Sequence, residues 1–283
     1  MTGALWMVAA MAGFAVEDVF LKAAANHMPL GQVLLVFGLI GATAFALLAA
    51  RKGEAVFHPA ALSRPLLIRS GFEVTGRLFY SLAIALTPLS VASAILQATP
   101  LVVVAGAAVI FGETVGWRRW LAILIGFAGV LVILRPGLDG FNALSLLTIL
   151  GLIGFAGRDL ATRAAPPVLS NLQLGIYGLS MLAVAGAILL GISGGAMVPD
   201  AMGAALVLAT SLFGVFAYFA LTVAMRTGDV SAVTPFRYTR LVFAMILGTL
   251  VFGEHPDGLT LIGSALVVGA GIYALVYGRR AVT

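Results

Sequence analysis

Two short apolar stretches carry the ionisable residues that set the chemistry open to this sequence. Gly13-Phe14-Ala15-Val16-Glu17-Asp18-Val19-Phe20-Leu21-Lys22 holds two carboxylates and an ammonium. Gly154-Phe155-Ala156-Gly157-Arg158-Asp159-Leu160-Ala161-Thr162-Arg163 repeats its Gly, Phe, Ala, Asp and final cation at an offset of 141 residues. Glu73, Arg77, Arg237 and Arg240 lie in similarly apolar surroundings. An ionised group in hydrocarbon costs on the order of 2.5–3.5 kcal/mol, so such residues face a protein interior or a wet cavity and serve recognition, ion transfer or gating. Asp18 with Lys22, Glu73 with Arg77 and Asp159 with Arg163 are spaced i, i+4 and can neutralise each other along one helix face. Glu17, Arg158, Arg237 and Arg240 have no such partner in sequence and are the stronger candidates for function.

Catalytic chemistry finds no footing. Glu17 and Asp18 are adjacent, so they point about 100° apart around a helix and make no carboxylate pair. His27, His58 and His255 are isolated, there is no cysteine, and no Ser/His/Asp set or phosphate loop is visible. Gly269-Ala270-Gly271-Ile272-Tyr273-Ala274 fits a dinucleotide fingerprint in spelling alone, because no strand precedes it. The sequence therefore predicts no catalytic residue, no metal site, no cofactor and no enzyme.

The elements that must position these residues are membrane helices. The 283 residues are 61% hydrophobic and 10% charged, with a mean hydropathy of +1.12; a soluble domain is roughly 25% charged. Apolar runs of about 20 residues recur along the chain, the length that crosses ~30 Å of hydrocarbon as a helix. Helices satisfy their own backbone in lipid, whereas a barrel would show short alternating segments. Ten spans are predicted, at about 3–24, 30–50, 66–86, 90–111, 117–134, 143–163, 170–190, 202–225, 231–252 and 258–277. The first has no basic n-region and carries Glu17 and Asp18, so it reads as a retained helix rather than a cleaved signal. The net charge of +5 and pI near 10.0 arise from cations in short loops, so topology explains them and no nucleic-acid partner is expected.

The 141-residue offset continues: Gln32 maps to Gln173, Ser70 to Ser211, Ser90 to Ser231, and Phe111-Gly112-Glu113 to Phe252-Gly253-Glu254. Five spans per half force the second half to start from the opposite side of the membrane. The fold class is thus an all-α integral membrane protein of ten transmembrane helices in two inverted five-helix repeats, residues 1–136 and 137–283, a construction associated with alternating access. Arg51, Lys52, Arg64, Arg118, Arg119, Arg163, Arg226, Arg279 and Arg280 fall on the N-terminal side, against Arg135 and Lys22 on the other, which predicts cytoplasmic termini. Trp6, Trp117, Trp120, Tyr273 and Tyr277 sit at that same interface, as an aromatic belt requires.

Ten spans in two halves, the segment Trp6 to Lys22 opening the first helix, and Phe-Gly-Glu closing the fourth and ninth resemble the drug/metabolite transporter superfamily in its ten-helix EamA-type branch. Within it the chain looks most like bacterial aromatic amino-acid exporters of the YddG type. The resemblance implies export of small metabolites, amino acids included, by alternating access across the bacterial inner membrane. Other members carry nucleotide-sugars, sugar phosphates or drugs. The implied partners are a small-molecule substrate and the bilayer; no oligomer is specified, and a monomer is compatible.

Depth separates two roles. Counted from the start of the third span, Arg77 lies about 11 residues or ~16 Å in, near the midplane, with Arg240 about as deep in the ninth and Arg237 a turn shallower. Thr99 is the repeat mate of Arg240, and Tyr218 that of Arg77. A substrate site is expected around these four, with Gln97. Arginine offers a carboxylate a bidentate fork, Glu73 can receive an amino group, and Tyr80, Tyr218, Phe236 and Tyr238 offer aromatic faces. Glu17, Asp18 and Lys22 at one mouth, and Arg158, Asp159 and Arg163 at the other, are expected as gates, with Pro100 and Pro235 as hinges. The alternatives are a multidrug exporter of lipophilic cations, which the excess of intramembrane arginine disfavours, and a polytopic enzyme or scaffold.

Overall fold

The computed structural model describes residues 2–112, 116–135, 142–164, 166, 168–226 and 234–277. Glu113 and Ser231 lie outside these, and of Arg163 and Pro235 the backbone alone is described. All regular structure among the described residues is helical: α1 (Thr2–Ala24), α2 (Leu30–Arg51), α3 (Arg64–Leu86), α4 (Leu89–Leu96), α5 (Thr99–Phe111), α6 (Trp117–Leu134), α7 (Ser145–Arg163), α8 (Asn171–Ser193), α9 (Ala201–Arg226), α10 (Thr239–Phe252) and α11 (Gly258–Tyr277). Single-turn 3₁₀ segments occupy Pro59–Leu62 and Thr234–Tyr238. Six helical stretches are long and apolar enough by composition to cross a membrane, and two shorter apolar helices accompany them.

The fourth and ninth spans, expected as continuous helices, are both interrupted. Pro100 has no N–H to offer the carbonyl of Leu96, so the helix cannot continue there unaided. The Thr99 hydroxyl donates to that carbonyl instead, at 2.5 Å, and closes the junction between α4 and α5. In the ninth span the Thr239 hydroxyl donates to the carbonyl of Phe236 at 2.6 Å, where the 3₁₀ turn passes into α10. The two junctions touch, because Gln97 Nε2 donates to the carbonyl of Arg237 at 3.0 Å.

Gly112 and Gly253, the middle residues of the duplicated Phe-Gly-Glu, end α5 and α10 with φ of 65° and 63°. That left-handed cap strains any residue with a Cβ, which is why glycine stands there twice. Connections sort into two faces. On one, His27 meets Asp200, Gln32 meets Met197, and Arg135 pairs with Asp257. On the N-terminal face, Ser170 donates to Glu54, Gln173 to Ala55, and His58 to the Tyr177 hydroxyl. This segregation is what ten alternating crossings produce.

The halves interlock pairwise, α1 with α9, α2 with α8, α3 with α7 and α6 with α11. Small residues permit the approach. A Cβ on Gly38 would lie 2.3 Å from the Ala183 nitrogen, and one on Gly154 2.3 Å from the Gly76 nitrogen. Gly13 meets Ala217, the repeat-related counterpart of Gly154 with Gly76. Without a hydrophobic drive between helices in lipid, such backbone-to-backbone packing is a main source of association.

Candidate functional site

Where α1, α3, α7 and the ninth span converge, charged side chains form one connected network. Arg77 on α3 donates to Glu17 of α1 at 3.3 Å and to Glu73, one turn back, at 3.3 Å. Glu73 also faces Arg158 of α7 at 3.5 Å and Arg69 at 3.7 Å. Arg158 continues to Asp159 at 2.8 Å, and Asp159 to Arg237 at 3.8 Å. Arg69 donates to Thr162 at 3.0 Å and to the Tyr218 hydroxyl at 3.4 Å. Beside this chain Asp18 receives Arg240 at 2.7 Å and the Tyr80 hydroxyl at 3.1 Å.

Aromatic faces cover the cations. The Phe155 ring lies 4.9 Å from Arg158 and 5.8 Å from Arg77, and Arg240 stands 5.1 Å from Phe14 and 5.5 Å from Tyr80. Such contacts strengthen as water is excluded. Glycines give the carboxylates room: a Cβ on Gly214 would come within 3.3 Å of the Glu17 carboxyl carbon, and Gly178 faces Arg69, Tyr218 and Glu73.

Five guanidinium groups, on Arg69, Arg77, Arg158, Arg237 and Arg240, meet four carboxylates, on Glu17, Asp18, Glu73 and Asp159, so the described network carries one positive charge in excess. Its hydrogen-bonding capacity is also unspent: Glu17 Oε2, Glu73 Oε2, Arg69 Nη1 and Arg240 Nε are buried with no hydrogen-bond partner among the described residues. Buried polar atoms ordinarily find one. A site with one spare positive charge, free donors and acceptors and aromatic walls is chemically suited to an organic carboxylate carrying a ring.

Several sequence expectations change. Of the three i, i+4 pairs, Glu73 with Arg77 forms. Asp18 does not pair with Lys22; Lys22 reaches Glu254 at 3.1 Å, while Asp18 is taken by Arg240. Asp159 pairs with Arg158 and Arg237, and the Arg163 side chain lies outside the described set. Glu17 and Arg158, placed by depth counting in separate clusters at opposite mouths, are instead joined through Arg77 and Glu73, because guanidinium side chains bridge the gap between neighbouring helices. Lys22 alone of its cluster stands at the face opposite the N-terminus.

Thr99 spends its hydroxyl on the helix junction and Gln97 ties the two junctions together, so neither lies free. Phe236 is 40% exposed, and the Tyr238 ring is buried against Gly271 of α11, so these two aromatics are not brought to the network. Pro100 stands at the second position of α5, where it starts a helix rather than bending one. Arg69, 2% exposed, was not singled out in sequence. Its i, i+4 spacing to Glu73 was the available signal.

A bundle of ten crossings in two inverted halves, with paired charges at its centre, defines a membrane transporter. The profile of the EamA-like transporter family matches residues 1–135 and 141–277, and the chain belongs to that family. It is 29% identical to a riboflavin transporter of Rhizobium johnstonii, across 96% of this chain and 90% of the relative. It is 27% identical to an S-adenosylmethionine uptake transporter of Rickettsia prowazekii, over 77% and 74%, and 26% identical to a pseudopaline exporter of Pseudomonas aeruginosa, over 95% and 94%. A crystal structure superposes with a TM-score of 0.66 over 99% of both chains at 18% identity, a likeness of fold.

Proposed function

We propose that this chain is a secondary transporter exporting small carboxylate-bearing metabolites, amino acids including aromatic ones first among them, across the bacterial cytoplasmic membrane by alternating access. The observation that carries this is the single excess positive charge among the described charges of the central network, beside aromatic faces. A lipophilic cation would meet net repulsion there; a carboxylate would complete the charge balance. The S-adenosylmethionine named for one relative carries an α-carboxylate and an adenine ring, so it presents the group this site would bind even though its sulfonium and ammonium leave it net positive. In a facilitated carrier, net direction follows the substrate gradient, which points outward for a metabolite made in the cell.

In this reading Arg77 and Arg240 receive the carboxylate. Glu73, Tyr80 and Tyr218 contact the rest of the substrate, and Glu17, Asp18, Arg158 and Asp159 exchange partners as the halves rock. The repeat boundary lies at residues 136–137, and the termini face the cytoplasm, where the basic loops lie. A flavin substrate is the second reading, favoured by the match to a riboflavin transporter along nearly the whole chain.

Proteoliposomes given labelled phenylalanine, tryptophan, S-adenosylmethionine and riboflavin, with and without a pH gradient, test both. Transport of a carboxylate-bearing compound, abolished by Arg240→Ala and by Arg77→Ala in folded protein, is the expected result. Transport of riboflavin alone, retained in both variants, would overturn the carboxylate reading. A response to the pH gradient would identify proton coupling.

A further inference from the structure

We infer that Glu254 and Lys22 form the latch that holds the mouth opposite the N-terminal face closed, by clamping the N-terminus of α4. The inference rests on the alternating-access reading above. A helix start leaves backbone N–H groups without partners inside the helix. At α4, which follows Pro88, the Glu254 carboxylate takes two of them: Oε1 accepts from Leu89 N at 2.6 Å and Oε2 from Ser90 N at 2.9 Å. Oε2 also accepts from the Ser90 hydroxyl at 2.7 Å. Lys22 neutralises the carboxylate at 3.1 Å and donates to the Thr87 carbonyl at 2.8 Å, with its ammonium 4.8 Å from the Phe252 ring.

The clamp crosses the boundary between halves. Lys22 ends α1 and Ser90 opens α4, both in the first half, whereas Glu254 follows α10 in the second. The chain is built to deliver that carboxylate. Gly253, at φ 63°, turns the backbone, Glu254 N bonds back to the Gly248 carbonyl at 3.1 Å, and Gly248 leaves the passage open. A Cβ on Gly248 would stand 2.6 Å from Glu254 Oε2.

Position fits the role. Outside the clamp lies a cavity of about 340 Å³ lined by Pro88, Ser90, Val91, Glu254 and His255 among others. Inside it, one turn along α4, Ser93 is buried beside Tyr80. The clamp thus stands between the outer cavity and the buried interior of the bundle. Both Glu254 oxygens accept hydrogen bonds, whereas Glu17 and Glu73 each keep one oxygen without a hydrogen-bond partner among the described residues. A fully paired carboxylate suits a lock, and an under-paired one suits a binding site. In sequence the duplication repeats the trio Lys22, Ser90 and Glu254 as Arg163, Ser231 and Glu113, whose side chains lie outside the described set.

The chain has no cysteine, so Ser93→Cys gives a single reporter thiol. A membrane-impermeant maleimide is added to whole cells, from the side opposite the termini. In this background Glu254→Gln and Lys22→Met should each speed labelling about tenfold or more, as expected when a charge-assisted tie of the closed state is removed. Gly248→Ala, which keeps every latch residue but displaces the carboxylate, should do the same to a smaller degree. Unchanged labelling in Lys22→Met and Gly248→Ala, in protein that elutes as one species, would overturn the latch even if Glu254→Gln fails to fold. The readout needs no substrate: faster labelling with no transport of the panel above leaves the latch standing and removes the substrate reading, and the reverse removes the latch.

Discussion

Glu73→Gln probes the central network at its most connected point. The Glu73 side chain is 1% exposed and faces Arg77 at 3.3 Å, Arg158 at 3.5 Å and Arg69 at 3.7 Å. The amide keeps the shape and an acceptor oxygen but withdraws the charge, so three guanidinium groups face a neutral side chain and the excess rises from one positive charge to two. Removing one member of a buried ion pair costs about 3–5 kcal/mol, and the retained acceptor places the expectation near the lower end. At about 2–4 °C per kcal/mol for a long chain, the melting temperature should fall by about 6–12 °C. Thermal unfolding in detergent, followed by tryptophan fluorescence, measures it. Arg158→Gln alone and combined with Glu73→Gln completes a double-mutant cycle, in which a coupling of about 1–3 kcal/mol is expected because the double variant loses one of the unbalanced cations. A melting temperature within ~1 °C of the parent, together with zero coupling, would refute a desolvated, ionised network.

Packing and the remaining polar contacts yield further outcomes. Gly154→Val forces a Cβ against the Gly76 backbone at 2.3 Å and should cost about 3 kcal/mol or more, whereas Gly71→Ala, with nothing within 4 Å, should be neutral or stabilise by up to about 1 kcal/mol, both read as melting shifts. Tyr80→Phe removes one of the two groups bonded to the Asp18 carboxylate and should cost about 1–2 kcal/mol while leaving the Arg240 contact in place, as a melting curve would show. The latch should withstand mild acid. Burial alone would raise the Glu254 pKa, but bonds from Ser90, Leu89 and Lys22 outweigh it and hold the carboxyl below its ordinary 4.5. A depressed carboxylate pKa contributes stability that is present above the unfolded value and lost as pH falls through the folded one. Ser93→Cys labelling, taken relative to the rate of a free thiol at the same pH, should therefore stay slow down to about pH 5 and rise below the ordinary carboxylate range. His255 lines the neighbouring cavity, so a rise already at about pH 6 that disappears in His255→Gln would assign the change to the histidine and not the latch.

Much of this protein could be read from local rules. Span length and hydropathy identify the membrane class, and an odd number of spans per repeat makes the halves inverted. Gly112 and Gly253 announce their left-handed caps through the duplicated Phe-Gly-Glu, and the i, i+4 spacing of Glu73 and Arg77 matches the contact they make. Each of these is a property of the linear sequence, local or repeated, and needs no knowledge of how the helices pack.

Which charge meets which was decided by tertiary structure. The i, i+4 rule makes a pair geometrically possible, but it cannot rank a local partner against one brought alongside by another helix. Lys22 had Asp18 one turn away and took Glu254, 232 residues on; Asp18 took Arg240, 222 residues on. Arg69 joined the network because Thr162 and Tyr218 were delivered to it by α7 and α9. In a low-dielectric interior every ion seeks the geometry that satisfies its charge and its hydrogen bonds together. Composition therefore fixed how many charges enter the apolar segments, and helix packing chose their partners.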